Sequence, residues 1–534
     1  MLLISQLRLP IDHSDTDLRS AAAAMLEIKM EALLSLHVEQ RAIDARHGQV
    51  HYIYTLLATV ADEARVLKKA PKGVMAAPDT SYRQLEDGPP VGEATPRVVI
   101  VGTGPCGLLC GLLLARHGWK PILLERGKPA GDRARDVTGF WRRGWDFNPQ
   151  SNVQFGEGGA GTFSDGKLYT QIRDREHRIP WILREFVKFG APDDIMVKAR
   201  PHIGTDRLIK VVRGIREEII ALGGQVRFES RVVDVEIDVG KMTAVLLQTG
   251  ERIEADRFVF AVGHSSRDTF EALHRRGVPF ERKPLAIGVR IEHPQGVIDK
   301  ARYGRFAGHS DLGAAPYKFA AHCPSGRTAY SFCMCPGGLV VASSSEPGQV
   351  VTNGMSSYAR AEANANSGFM VEVSEKDFPS DHPLAGIEFQ RAIERKAYEV
   401  GGSNYFAPAQ RLGDFMKGRP STGPGRVQPS YLPGVTWTDL HLCLPESVTR
   451  TLKQAIAVVD KQLPGFGYDD AVLTGVETRS SSPVRIPRAA PTLECVDVRQ
   501  FYPAGEGAGY AGGIISAAVD GMRVAERLLR GPEA

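Results

Sequence analysis

Apolar and polar positions alternate along residues 2–9, LLISQLRL, which predicts a strand at the start of the chain. Residues 14–28, SDTDLRSAAAAMLEI, set Ser14 ahead of an Ala-rich run and predict a capped helix. Asp15-Thr16-Asp17 therefore reads as a helix start and not as a metal-binding acidic pair. Two further stretches, residues 33–46 and 50–60, flank His47-Gly48-Gln49 and predict a hairpin. Residues 1–67 are thus expected to form a small α+β domain. Residues 68–96 lose the period and gain Pro, Gly and polar residues, the pattern of a linker.

From Arg97 onward, strand and helix periods take turns. Residues 97–127, RVVIVGTGPCGLLCGLLLARHGWKPILLERG, run strand, glycine turn, apolar helix, strand. Residues 223–266 predict four short strands, closing on an apolar strand that ends at Gly263. Over residues 281–433 the alternation weakens while Gly, Pro, Ser and Asn rise, which marks an inserted α+β domain. Residues 434–534 bring the chain back from the insert and then give a strand, a glycine turn and a long helix. The fold class is α/β, with a Rossmann-like dinucleotide domain split into residues 97–280 and 434–534 around the insert.

The glycine turn carries chemistry. Gly102 allows a tight strand-to-helix turn, Gly104 admits a pyrophosphate to the backbone, and Gly107 lets the helix pack on the strand. Pro105 and Cys106 lie between them at the helix start, where free N–H groups and the helix dipole favour anions. The second strand ends at Glu125-Arg126, an acid placed to accept hydrogen bonds from both ribose hydroxyls of an adenosine.

The far end of the chain chooses between NAD and FAD. Residues 501–521, FYPAGEGAGYAGGIISAAVDG, give a strand ending in Gly505-Glu506 and a helix opening with Gly512-Gly513-Ile514. An NAD-only domain has no use for this second motif. In a flavoprotein, Glu506 can hold the ribityl chain while the helix start steadies negative charge on reduced flavin. FAD is the expected cofactor.

Several blocks then resemble a poorly characterised family of FAD-dependent dehydrogenases, bacterial and plastid flavoproteins with a short N-terminal α+β domain. They are residues 151–170 (SNVQFGEGGAGTFSDGKLYT), 198–208, 260–269, 286–295, 330–338 (YSFCMCPGG) and 350–356. The resemblance spans essentially the whole chain. It implies the glutathione-reductase type of FAD fold with a substrate domain inserted between the halves of the cofactor domain, and it implies no substrate. In the first block, Gly158, Gly159, Ala160, Gly161 and Thr162 suit a nest for phosphate or the flavin edge. The alternative is a flexible surface loop. Val233 and Gly263 complete the expected cofactor set.

Catalytic candidates are Cys333, Cys335 and Lys167. The cysteines either relay electrons beside flavin or line a pocket, because a CxC disulfide closes a strained ring. Lys167 either approaches the flavin or an acidic substrate, or is a surface lysine. No second strand-GxGxxG-helix unit occurs in residues 280–500, so a dedicated NAD(P)H domain is not expected. Electrons then come from the substrate, a transiently docked NAD(P)H or a partner protein.

Composition narrows the setting. Apolar residues make up 43% of 534 and the net charge is +4, without a basic run that would call for nucleic acid. No run of about 18 apolar residues predicts a membrane span. Seven cysteines without zinc spacing argue against structural metal and disulfides, and for a reducing cytoplasm. The leading expectation is an FAD oxidoreductase moving hydride to or from a small organic molecule. The others are a flavoprotein serving a protein partner, and a structural FAD protein whose N-terminal domain binds RNA or protein.

Overall fold

The computed structural model describes every residue except 47, 84–91, 93–94 and 532–534, so the hairpin tip at His47 and much of the expected linker lie outside the described residues. The N-terminal unit comprises β1 (Leu2–Pro10), α1 (Asp15–Met25), β2 (Leu33–Asp44), β3 (His51–Val60), α2 (Glu63–Lys69) and β4 (Val74–Ala76). Its sheet runs in the order β2-β3-β1-β4, so the unit reaches Ala76, nine residues into the stretch expected to be linker. Ladder bonds from Val74–Ala76 to Leu2–Ile4 override the Pro/Gly composition. Ser14 caps α1 as expected: its hydroxyl accepts from the Asp17 N–H at 3.2 Å, and the Ser14 N–H donates to the Asp17 carboxylate at 2.9 Å.

The central unit holds β5 (Val98–Val101), α3 (Pro105–Arg116), β6 (Ile122–Leu124), α4 (Ala130–Arg143), α5 (Arg178–Lys188), α6 (Thr205–Ala221), β7 (Gln225–Arg227), β8 (Val232–Asp238), β9 (Lys241–Leu247), β10 (Arg252–Glu254), β11 (Arg257–Phe260) and α7 (Arg267–Arg275). Five strands therefore fill residues 223–266 where four were expected. β7 leaves the others to pair with β6, and β8–β10 form a separate antiparallel meander.

The insert opens with β12 (Glu281–Arg282) and continues through β13 (Leu285–Pro294), α8 (Gln295–Tyr303), β14 (Ala320–His322), β15 (Thr328–Cys335), β16 (Leu339–Ala342), β17 (Thr352–Met355), β18 (Asn364–Val373), α9 (Ala385–Val400), β19 (Ala407–Arg411), α10 (Leu412–Lys417), β20 (Val435–Trp437), α11 (Glu446–Gln462) and β21 (Val472–Glu477). The chain returns through β22 (Val484–Arg485), β23 (Phe501–Pro503) and α12 (Ile514–Arg530). The large sheet of the insert has the order β14-β15-β18-β13-β21-β19-β20. Because β21 lies beside its central strand β13, the insert runs to about residue 480 and not to 433. β12 and β22, the way in and the way out, pair with each other.

The parallel sheet β23-β11-β5-β6-β7 shows why the opening motif folds as it does. Alternate residues of β5 face opposite layers: Val98 and Ile100 pack toward α3 and α12, Val99 and Val101 toward the meander and α7. The strand is buried on both sides, hence its unbroken apolar run. α12 crosses α3 so closely that a Cβ on Gly521 would stand 2.1 Å from the Cys106 carbonyl oxygen.

Candidate functional site: a cofactor cradle at the strand ends

The glycine segments meet at the C-terminal ends of β5, β11 and β23, three neighbouring parallel strands. Ligands of open α/β sheets bind at this edge. Gly102 has φ +102°, and a Cβ there would reach the Ala261 carbonyl oxygen at 2.5 Å. A Cβ on Gly107 would meet the Gly102 oxygen at 2.0 Å. Gly104 differs: it is the N-cap of α3, no side chain caps that helix, and the nearest atom to an added Cβ is Gly159 Cα at 3.9 Å. Two glycines of the turn serve packing and the third leaves room.

The glycine-rich block is an ordered part of this edge. Arg133, from α4, is completely buried and donates to the carbonyl oxygens of Asn152, Val153, Gly156, Glu157 and Gly159 at 2.7–3.2 Å. Burial lowers its pKa to about 10, which leaves it charged at neutral pH. The loop wraps around this guanidinium and lies against the turn, with Gly158 N–H donating to Thr103 O at 2.9 Å. Pro105, Gly158, Gly161, Thr162 and Ile514 line one small recess, which also brings in the first residue of α12. Ala160 sits in the short 3₁₀ turn Ala160–Phe163.

Two expected contacts are placed differently. The Glu125 carboxylate accepts from Thr103 N–H, Thr103 Oγ1, Gly127 N–H and Gly156 N–H at 2.7–3.0 Å. These four donors use its acceptor capacity, so it ties the turn to the glycine loop where an open ribose acceptor was expected. Arg126 forms a two-pronged pair with Asp268 at 2.8–2.9 Å and lies 4.0 Å from the Phe155 ring centre, so it too is committed to the protein. Val233 is exposed on β8, two residues after Arg231, which shares Asp268 with Arg126.

On the other flank, the Gly505 N–H donates to Asp520 at 2.8 Å, and Asp520 is also gripped by Arg488 at 2.6 and 3.0 Å. Glu506 pairs with His264 Nδ1 at 3.1 Å, while His264 Nε2 is buried with no hydrogen-bond partner in the described structure. The Cα atoms of Gly263, Gly512 and Gly513 face open space. Open glycines on three segments, an uncapped helix start and an unpartnered buried imidazole nitrogen fit an elongated polar cofactor lying along this edge.

Facing the loop, the insert presents a dense polar interior. Arg290 is wholly buried and donates to Cys333 O (2.9 Å), Asn366 (3.2 Å), Asn353 (2.9 Å) and Glu477 (2.9 Å). Burial pushes the Glu477 carboxyl up to about 7 against the pull of Arg290. Lys167 is no surface lysine: its Nζ is shielded from solvent and lies 3.0 Å from Asp165. Arg360 pairs with the same carboxylate at 2.6 and 2.8 Å. Burial alone would raise Asp165, but the two cations outweigh it and hold the group well below the usual carboxylate range. Cys333 has φ +44° at a bulge of β15, and Cys335 is buried with its Sγ 3.2 Å from Cys333 O. Both are free thiols, and burial pushes Cys335 up to about 11.

A second buried network joins insert and central unit. Glu394 takes two-pronged bonds from Arg267 and from Arg479 at 2.8–3.0 Å, all three being buried. Sequence reading missed Arg133, Arg290 and Arg267. A signal existed for Arg290, a lone cation inside the apolar run LAIGVRIEHP. Arg133 lies in a mostly polar helix and gave none.

These features define an FAD-binding protein with a Rossmann-like cofactor domain. Residues 95–137 match the FAD binding domain, residues 284–480 match the FAD-dependent protein, C-terminal domain-like family, and residues 1–59 match a domain of unknown function. FAD is the cofactor, and the cradle fits it. The chain belongs to one family with an uncharacterized protein of Clostridium beijerinckii, to which it is 44% identical over 532 residues, 98% of each chain. Among solved structures it is similar to halogenase PltM (12% identity, 82% of this chain and 70% of that one, TM-score 0.37). It is likewise similar to glycine oxidase from Geobacillus kaustophilus (10% identity, 82% and 96%, TM-score 0.37). At these TM-scores neither likeness bears on chemistry. Among the described residues no helix is long and apolar enough to cross a membrane, and no cluster of His, Cys, Asp or Glu could hold a metal.

Proposed function

We propose that this protein is an FAD-dependent oxidoreductase that exchanges a hydride with a small organic substrate between the cradle and the insert. The observation that carries the reading is the meeting of two glycine turns at the ends of β5 and β23, on either side of β11, faced by the polar interior around Arg290 and Lys167. Bound FAD supplies two-electron chemistry. The chain's part is to hold and orient. The uncapped start of α3, with Gly104, would receive the diphosphate, and Gly512-Gly513 would leave the N–H groups of α12 free toward the flavin. Lys167, Asp165 and Arg360 form a fixed charge set at the end of the glycine loop, suited to orienting a polar substrate. Glu477, pushed up to about 7, can hold or give up a proton near neutrality. Cys333 and Cys335 line this interior, and the raised Cys335 thiol favours lining over a dithiol relay.

An anaerobic visible spectrum before and after addition of NADH or NADPH tests this. A yellow protein that bleaches is a nicotinamide-linked reductase. One that stays yellow draws electrons from its substrate or from a protein partner. A colourless protein that added FAD does not turn yellow overturns the reading.

A further inference from the structure

A cleft of about 390 Å³ opens beside α12 and shares Asp520 with the flank described above. Ile172, Arg173, Arg175, Arg178, Tyr510 and Arg523 line it, with Ser516 and Asp520 along the helix. Its charges are partnered unevenly. Arg178 is spent on Glu526, at 2.5 and 2.7 Å. Asp520 is spent on Arg488 and the Gly505 N–H. Arg523 reaches that same, already satisfied carboxylate only at 3.9 Å. Arg173 and Arg175 make no ion pair or hydrogen bond among the described residues. The single other acid in the lining is Glu176.

Among the described residues, three guanidinium groups without a strong partner thus share one concavity with one unspent acid. What sets these arginines apart is that they line one cavity together. Like charges facing one space repel, and the arrangement is relieved by a polyanion. Guanidinium forks match phosphate oxygens two at a time. The exposed Ile172 and the Val519 side chain add an apolar wall, and the volume suits a ligand of mononucleotide size.

We propose that this cleft binds the diphosphate-bearing half of a nucleotide, as a docking site for a nicotinamide dinucleotide in a chain with no second dinucleotide motif. The role as a donor site rests on the flavin reading above, whereas the binding itself does not.

The test is isothermal titration of the FAD-loaded protein with ADP, NADH and inorganic pyrophosphate at low and physiological salt. ADP and NADH should bind, more weakly as salt rises. The Arg173→Ala/Arg175→Ala double variant and Arg523→Ala should each lose at least tenfold in affinity while their yellow spectra stay unchanged. These residues are exposed, so the fold should be retained, and Lys120→Ala serves as a surface control. FAD-loaded protein that binds none of the probes overturns the site and leaves the flavin reading intact. Binding that the arginine substitutions do not weaken overturns it as well. Pyrophosphate binding not shared by ADP and NADH overturns the nucleotide assignment. If the protein cannot be loaded with FAD, the flavin reading fails instead. ADP binding sensitive to the same arginines would then still support the site.

Discussion

Gly104 and Gly107 lie three residues apart in one turn, yet substitution should separate their roles. At Gly107 an added Cβ would stand 2.0 Å from a backbone oxygen, well inside van der Waals contact, so α3 has to shift by more than 1 Å. Overpacking of this kind costs about 1–3 kcal/mol. Gly107→Ala should therefore lower the melting temperature by several degrees with or without FAD. At Gly104 the backbone has φ −69° and an extended ψ, which any residue can adopt, and a Cβ finds nothing nearer than 3.9 Å. Gly104→Val should cost the apoprotein roughly 1 kcal/mol through a poorer helix cap. Its side chain would, however, occupy the approach to the Cys106 and Gly107 N–H groups. Losing two charge-assisted hydrogen bonds at about 1.5–3 kcal/mol each weakens FAD roughly 10²–10⁴-fold. Fluorescence titration of apoprotein with FAD, together with melting curves, reads both effects. A Gly104→Val protein that binds FAD as tightly as the wild type would refute the placement of the diphosphate.

Other outcomes follow from the buried charges. Arg133→Met should release the glycine loop, destabilise by about 3–5 kcal/mol and raise protease cleavage within residues 151–162, as read by limited proteolysis. Glu477, raised to about 7 in the fold from its ordinary value near 4.5, binds more protons folded than unfolded between those pH values. Its contribution is therefore full at low pH and fades as pH climbs from about 4.5 to 7. Denaturant melts should show Glu477→Gln gaining on the wild type across that window, and parallel curves would contradict it. Iodoacetamide at pH 8 should label the half-exposed Cys333 well before Cys335, by peptide mass spectrometry.

Much of the framework could be read from local pattern. The βαβ unit, the capped first helix and the C-terminal strand and helix were legible because each carries a local signature: an apolar run, a capping serine or a glycine turn. What escaped depends on distant partners. β4 looked like linker because three residues show no period until β1 pairs with them. The insert seemed to end at residue 433 because β21, parted from its sheet neighbour β13 by some 180 residues of sequence, reads like any apolar strand. At the site, Glu125 and Arg126 were visible as charges at a strand end, but Thr103, Gly156 and Asp268, which occupy them, come from three other segments. Arg133 acts only through carbonyl groups, and backbone carbonyls have no signature in a sequence.

The pairing of β12 with β22 bears on how the chain reaches this state at all. The parallel sheet is completed by β23, which lies beyond the whole insert, so its last strand must find β11 across a long excursion of chain. Closing a flexible loop of about 240 residues, instead of the roughly 40 outside the β12–β22 pair, costs about 1.6 kcal/mol more in chain entropy. If the insert folds first, its two ends emerge side by side and the excursion shrinks to a short bridge. Order of assembly, with the insert preceding closure of the sheet, is in this sense written into two short strands.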